Sequence, residues 1–136
     1  MKKKDIQKRV TINNGDPIGL DQFTWREASK TFSSDLDNLV LNFQGVDGIT
    51  FKTQSRCTFV TGSYCNFMTA HDCTFLTGTW CDFHTGSLCS FKTQSNCNFT
   101  CGCNCSFDVG SHCTFDVYSI CKFKAGHDFA FINKEY

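Results

Sequence analysis

The sequence predicts an all-β fold, a single-chain parallel β-solenoid of twelve eight-residue repeats with a short N-terminal capping helix. Three observations carry that prediction. Phenylalanine returns every eighth residue without a slip, at Phe43, Phe51, Phe59, Phe67, Phe75, Phe83, Phe91, Phe99, Phe107, Phe115, Phe123 and Phe131. Two places earlier stands a cysteine in most repeats: Cys57, Cys65, Cys73, Cys81, Cys89, Cys97, Cys105, Cys113 and Cys121, with Leu41, Ile49 and Phe129 completing the column. Within each octad, apolar or small residues at positions 1, 3 and 5 alternate with mostly polar ones at 2 and 4.

Each part of the octad has a structural reading. Alternation with a period of two belongs to a strand with one buried face. Glycine at position 6 (Gly62, Gly78, Gly86, Gly102, Gly110, Gly126) is expected to turn the chain through positive φ. The Ser, Thr or His that follows can bond backbone groups left unpaired by the corner. Eight residues are too few for a strand and a helix, so the unit is a short strand and a tight corner. One such strand cannot bury its own face. Stacked copies can, Phe on Phe and Cys on Cys, at the ~4.8 Å spacing of paired strands. Two octads per coil are favoured, because two facing sheets suit one bulky aromatic per side. That arrangement makes a rod of roughly 29 Å. Three octads per coil, a triangular alternative, stay open on sequence alone.

The octads fill residues 41–136, and residues 1–40 are set apart as a basic tail and capping segment. Residues 1–9 carry Lys2, Lys3, Lys4, Lys8 and Arg9 against Asp5, a net +4, and read as a solvated tail. Thr24-Trp-Arg-Glu27 fits a capping box, with Phe23 and Ala28 as its hydrophobic staple. A helix over about 24–33 is therefore expected to cover the first coil, whose bare strand edge would invite association. Val10–Asn13 reads as an extra strand before the Asn14-Gly15 turn. At the other end Phe129, Phe131 and Ile132 continue the apolar pattern. The expectation there is a homodimer through the C-terminal end.

The Cys-x-Phe centre with polar residues between resembles the small-x-large centre of pentapeptide-repeat proteins. The octad style is also similar to repeat proteins predicted from phage and large-virus genomes. The resemblance implies a β-solenoid over residues 41–136 and is nearly silent on activity. Because the period is eight and not five, it does not extend to that family's four-sided cross-section.

Little in the chain points to chemistry. Net charge is zero over 136 residues, so nucleic acid is an unlikely partner. No segment approaches the ~20 apolar residues of a membrane helix, and the lysine-rich start lacks a signal peptide's apolar run. The localisation read from this is intracellular, cytoplasm or virion, where the eleven cysteines stay reduced thiols. Cys101-Gly-Cys103-Asn-Cys105, with Cys97 before it, is a weak candidate for a soft metal. Each of these cysteines, however, fills a column that holds small residues elsewhere. No metal or cofactor is expected. His71-Asp72 and His127-Asp128 lack a nucleophile beside them, and the chain reads as a non-enzyme.

The function expected is a structural or protein-interaction scaffold. The position-8 side chains Tyr64, Trp80, Leu88, Ile120 and Tyr136 are its candidate contacts. The alternatives are a DNA mimic, for which Asp108 and Asp116 form the one consecutive acidic pair, and a subunit of an intertwined trimeric phage-type spike. Ice binding would need unbroken Thr columns, and charges interrupt those available.

Overall fold

In a computed structural model, which describes residues 1–12, 15–118 and 120–131, the strands alternate between two sheets, and that alternation is the coil. Before the repeats lie a helix, α1 (Lys3–Gln7), and four strands: β1 (Val10–Ile12), β2 (Asp16–Pro17), β3 (Thr24–Arg26) and β4 (Thr31–Ser33). Then follow β5 (Leu39–Phe43), β6 (Thr50–Lys52), β7 (Thr58–Thr61), β8 (Asn66–Met68), β9 (Thr74–Leu76) and β10 (Asp82–His84). The last six are β11 (Ser90–Lys92), β12 (Asn98–Cys101), β13 (Ser106–Asp108), β14 (Thr114–Val117), β15 (Lys122–Lys124) and β16 (Ala130–Phe131). One sheet runs β15-β13-β11-β9-β7-β5-β1-β2, the other β16-β14-β12-β10-β8-β6-β4-β3.

From β6 onward each strand pairs in parallel with the strand two further along, sixteen residues away. Phe59 lies opposite Phe75, Phe67 opposite Phe83 and Phe99 opposite Phe115. Two octads therefore make one coil, and the rod has about six turns. A triangular coil would pair residues 24 apart.

Between the sheets the phenylalanines form one continuous core. Rings within a sheet stack almost flat, Phe75 on Phe91 at 4.9 Å and 4°, while rings of opposite sheets meet edge to face, Phe75 to Phe83 at 5.1 Å and 78°. Both geometries suit the ring quadrupole and add about 0.5–1.5 kcal/mol per pair beyond area burial. The phenylalanine column from Phe51 to Phe115 and the position-1 cysteines from Cys57 to Cys113 are buried. The ladder opens at its last coil: Phe123 is 39% exposed, Phe131 45%, and Cys121 half-buried.

The first coil departs from the octad. Leu41, not Phe43, faces Phe59, and Phe43 stands opposite Thr61 in the threonine column. The loop after β5 holds two extra residues and turns at Gly45 and Gly48, both at positive φ. Phe43 is still wholly buried and meets Phe51 edge to face at 5.1 Å. Ahead of it β4 already runs parallel to β6, with Phe32 opposite Phe51. Stacking thus begins ten residues before the repeat becomes visible.

Residues 24–33 do not form the expected helix. β3 and β4 make an antiparallel hairpin whose second strand joins the sheet. Pairing with β6 buries Phe32 completely, and Phe23 stacks on it at 5.3 Å. Tertiary burial outweighs a local capping signature, which is worth only about 1 kcal/mol. The short N-terminal helix is α1 instead. Residues 1–9, expected as a solvated tail, fold over the end of the rod: Ile6 is fully buried, and Gln7 Nε2 donates to Ile18 O at 2.8 Å. Lys3 lies over the Phe23 ring and Arg9 over Phe43. β1 pairs antiparallel with β5, so Val10–Ile12 is the extra strand, while Asn13 lies outside the described residues.

Candidate interaction surface

Corners, not strands, carry this molecule's distinctive geometry. From Arg56 to Asp128 every position-8 residue is left-handed, with φ between 57° and 63°. The six position-6 glycines are not left-handed, contrary to the expectation for them. Their smallness serves a close approach instead. The position-7 side chain of one coil reaches up to the position-7 amide of the next: Ser63 Oγ accepts from Thr79 N, Ser87 Oγ from Cys103 N and Ser95 Oγ from Ser111 N, each at 2.9 Å. That side chain passes directly beneath position 6, where a Cβ on Gly78, Gly102 or Gly110 would collide with the serine oxygen. His71 takes the serine role with Nδ1, accepting from Ser87 N at 2.9 Å under Gly86. Asp47 does so for Ser63 N beneath Gly62. Where Gln94 replaces glycine, the residue below is Thr79, whose hydroxyl turns to Ser63 Oγ instead.

The cysteines fasten the same corners from inside. Cys81 Sγ donates to Gly62 O, Cys97 to Gly78 O and Cys105 to Gly86 O, each a position-6 carbonyl of the coil below. No disulfide links any of the eleven. The Cys113 thiol and burial push Cys97 up to about 11, and the Cys101 thiol beside Cys105, with burial, pushes that group up to about 12. Such thiols keep their protons and are poor nucleophiles. Of the weak metal candidates, Cys97, Cys101 and Cys105 are buried and Cys103 half-buried. Among the described residues no three His, Cys, Asp or Glu groups gather as ligands.

Outward columns follow the two-octad register. Thr58, Thr74, Ser90, Ser106 and Lys122 line one sheet face, and Asn66, Asp82, Asn98, Thr114 and Ala130 the other. An open groove of about 360 Å³ runs along the first, bordered by Lys92, Asp108 and Lys124. Asp108 pairs with Lys92, whereas Asp116 pairs with Thr100 on the opposite sheet. The acidic pair is thus split between faces. Asp128 pairs with His112 Nε2 at 3.2 Å on an exposed edge, not with its neighbour His127.

Four of the five candidate contacts project from the edges: Tyr64 and Trp80 are consecutive on one, Leu88 and Ile120 share the other, with Asn104 between. Tyr136 lies outside the described residues. The sequence reading missed Leu76, Met68 and Tyr118, about half exposed at positions 4 and 6. Their apolar character in outward columns was the available signal. Comparison with protein-family models, with curated proteins and with solved structures returns no match.

Proposed function

We propose that the protein is a non-catalytic scaffold, a stiff rod whose corner columns engage a protein partner. One observation carries the reading. Left-handed backbone suits Gly, Asn and Asp, and Asp72, Asn96, Asn104 and Asp128 occupy it here. Tyr64, Trp80, Leu88 and Ile120 hold the same conformation while exposing between 52% and 74% of their surface. A bulky apolar residue there is unfavourable twice over, in strain and in hydration, and such outliers concentrate where function maintains them. Aromatic anchors such as Tyr64 and Trp80 also dominate binding energy at interfaces. Thiols packed into the interior, with no nucleophile, base and orienting group in one cleft among the described residues, support a passive role. The Cys-x-Phe similarity to pentapeptide-repeat coils belongs to this proposal as a likeness of core, since the coil here has two sheets.

The test is to replace Tyr64, Trp80, Leu88 and Ile120 together by Asn. The reading expects an unchanged β spectrum, a melting temperature at or above the parent's, and loss of whatever partner the parent captures. A lower melting temperature would show that the side chains serve the fold, and would sink the proposal.

A further inference from the structure

Beyond that reading, we infer that the C-terminal coil is a docking face for a second copy of this chain, with β15 of each copy paired antiparallel to β16 of the other. The face is the open cross-section of the core. Phe123, Phe129 and Phe131 expose 39%, 47% and 45% of their surface there. Among the described residues β15 and β16 each stand last in their sheets, with no strand on their outer side. A flat apolar face flanked by free strand edges is a template for strand addition.

Three observations select the occupant. The opposite end is closed by α1 and by the antiparallel strands β1, β2 and β3. Head-to-tail stacking would set the exposed rings against a ring column that is already covered, Phe23 and Phe32 being buried, whereas a second copy offers the same open rings through a two-fold axis across the rod. Coil rise then chooses between two such axes. The chain climbs one strand spacing, ~4.8 Å, per sixteen residues, so β16 stands roughly 2.4 Å above β15. Placing β15 one spacing from β15 of the copy would bring the two β16 strands to the same height, where they collide. Crossing the sheets, β15 to β16 in both directions, gives every pair one full spacing. Charge agrees: like-with-like pairing sets Lys122 against Lys124 of the copy, which is repulsive, whereas the crossed pairing sets Lys124 against Ala130. Phe131 then lies on Phe123 of the copy, and the ring column continues through the interface.

The experiment is sedimentation of the full chain over a concentration series, followed by disulfide trapping. The parent should run at twice the mass of one chain. Phe131→Glu should weaken association at least tenfold with the parent's β spectrum retained. Should that variant fail to fold, trapping still decides. Lys124→Cys and Ala130→Cys, mixed and oxidised, should cross-link between chains, and neither variant alone should. A monomer at every concentration, a trimer, an undiminished Phe131→Glu dimer, or trapping confined to a Lys122→Cys and Lys124→Cys mixture would each overturn the inference.

Discussion

The two ends of the rod meet one problem with different material. Stacked parallel strands leave an unpaired edge and an apolar core wherever the stack stops. At the first coil, non-repeating sequence covers the core and replaces the parallel edge by short antiparallel strands. β1 and β3 run antiparallel to the stack, Phe23 covers Phe32, Ile6 and Ile18 are sealed, and Pro17 sits on the outermost strand, where it blunts further pairing. At the last coil the repeat itself is the surface, and its phenylalanines meet solvent. A repeat propagates a core but does not terminate one.

The contrast is sharpest in the rings. Phe83 touches rings on both sides in its own sheet and two across, and is buried. Phe83→Ala should destabilise by about 3–5 kcal/mol in urea unfolding, whereas Phe131→Ala should lose only about 1 kcal/mol. Equal losses would mean that the last coil is as enclosed as the middle. Closure of the first end is tested by Ile6→Ala, expected to remove about 3 kcal/mol if α1 is a working lid. A variant as stable as the parent would make residues 1–9 dispensable.

Corners offer a finer comparison, between Gly78 over Ser63 and Gln94 over Thr79. Gly78→Ala should destabilise by about 2 kcal/mol through overpacking, and adding Ser63→Gly should recover part of it. Additive losses would refute the stacked-corner arrangement. The thiols add a pH dependence. Folding raises Cys97 from 9.0 to about 11, so the folded state holds a proton that the unfolded chain gives up first. Its stabilising contribution is complete below about pH 9 and is lost as pH rises towards 11, at up to about 1.4 kcal/mol per pH unit. Thermal unfolding should fall across that window in the parent and fall less in Cys97→Ala. The smallest effect is a gain: Ile120→Asn should stabilise by about 1 kcal/mol by relieving left-handed strain.

How much of this could be read from the sequence follows from what repeats. Phe and Cys at eight-residue spacing announce buried columns, and the strands, core and outward faces follow. Coil size was legible only as a preference, since both closures keep Phe on Phe. It is set by the sixteen-residue pairing of strands such as Phe59 with Phe75. The N-terminal end departs from its sequence reading for the opposite reason. Thr24 to Glu27 carries a sound local helix signal, but Phe32 gains more by joining Phe51, a contact nineteen residues away that no local pattern reports. Position 8 was identified as exposed, while its left-handed backbone was assigned to glycine, because Tyr, Trp, Leu and Ile are poor advertisements for that conformation.

The central claim is that two octads close each coil and stack the phenylalanines inside it. Proton–proton contacts between specifically labelled rings test it most directly. Labels on Phe67, Phe75 and Phe91 should show Phe75 meeting Phe91, whose centroids lie 4.9 Å apart, with no contact between Phe67 and Phe91, 24 residues apart. A contact between Phe67 and Phe91 without one between Phe75 and Phe91 would contradict the two-sheeted coil and everything built upon it.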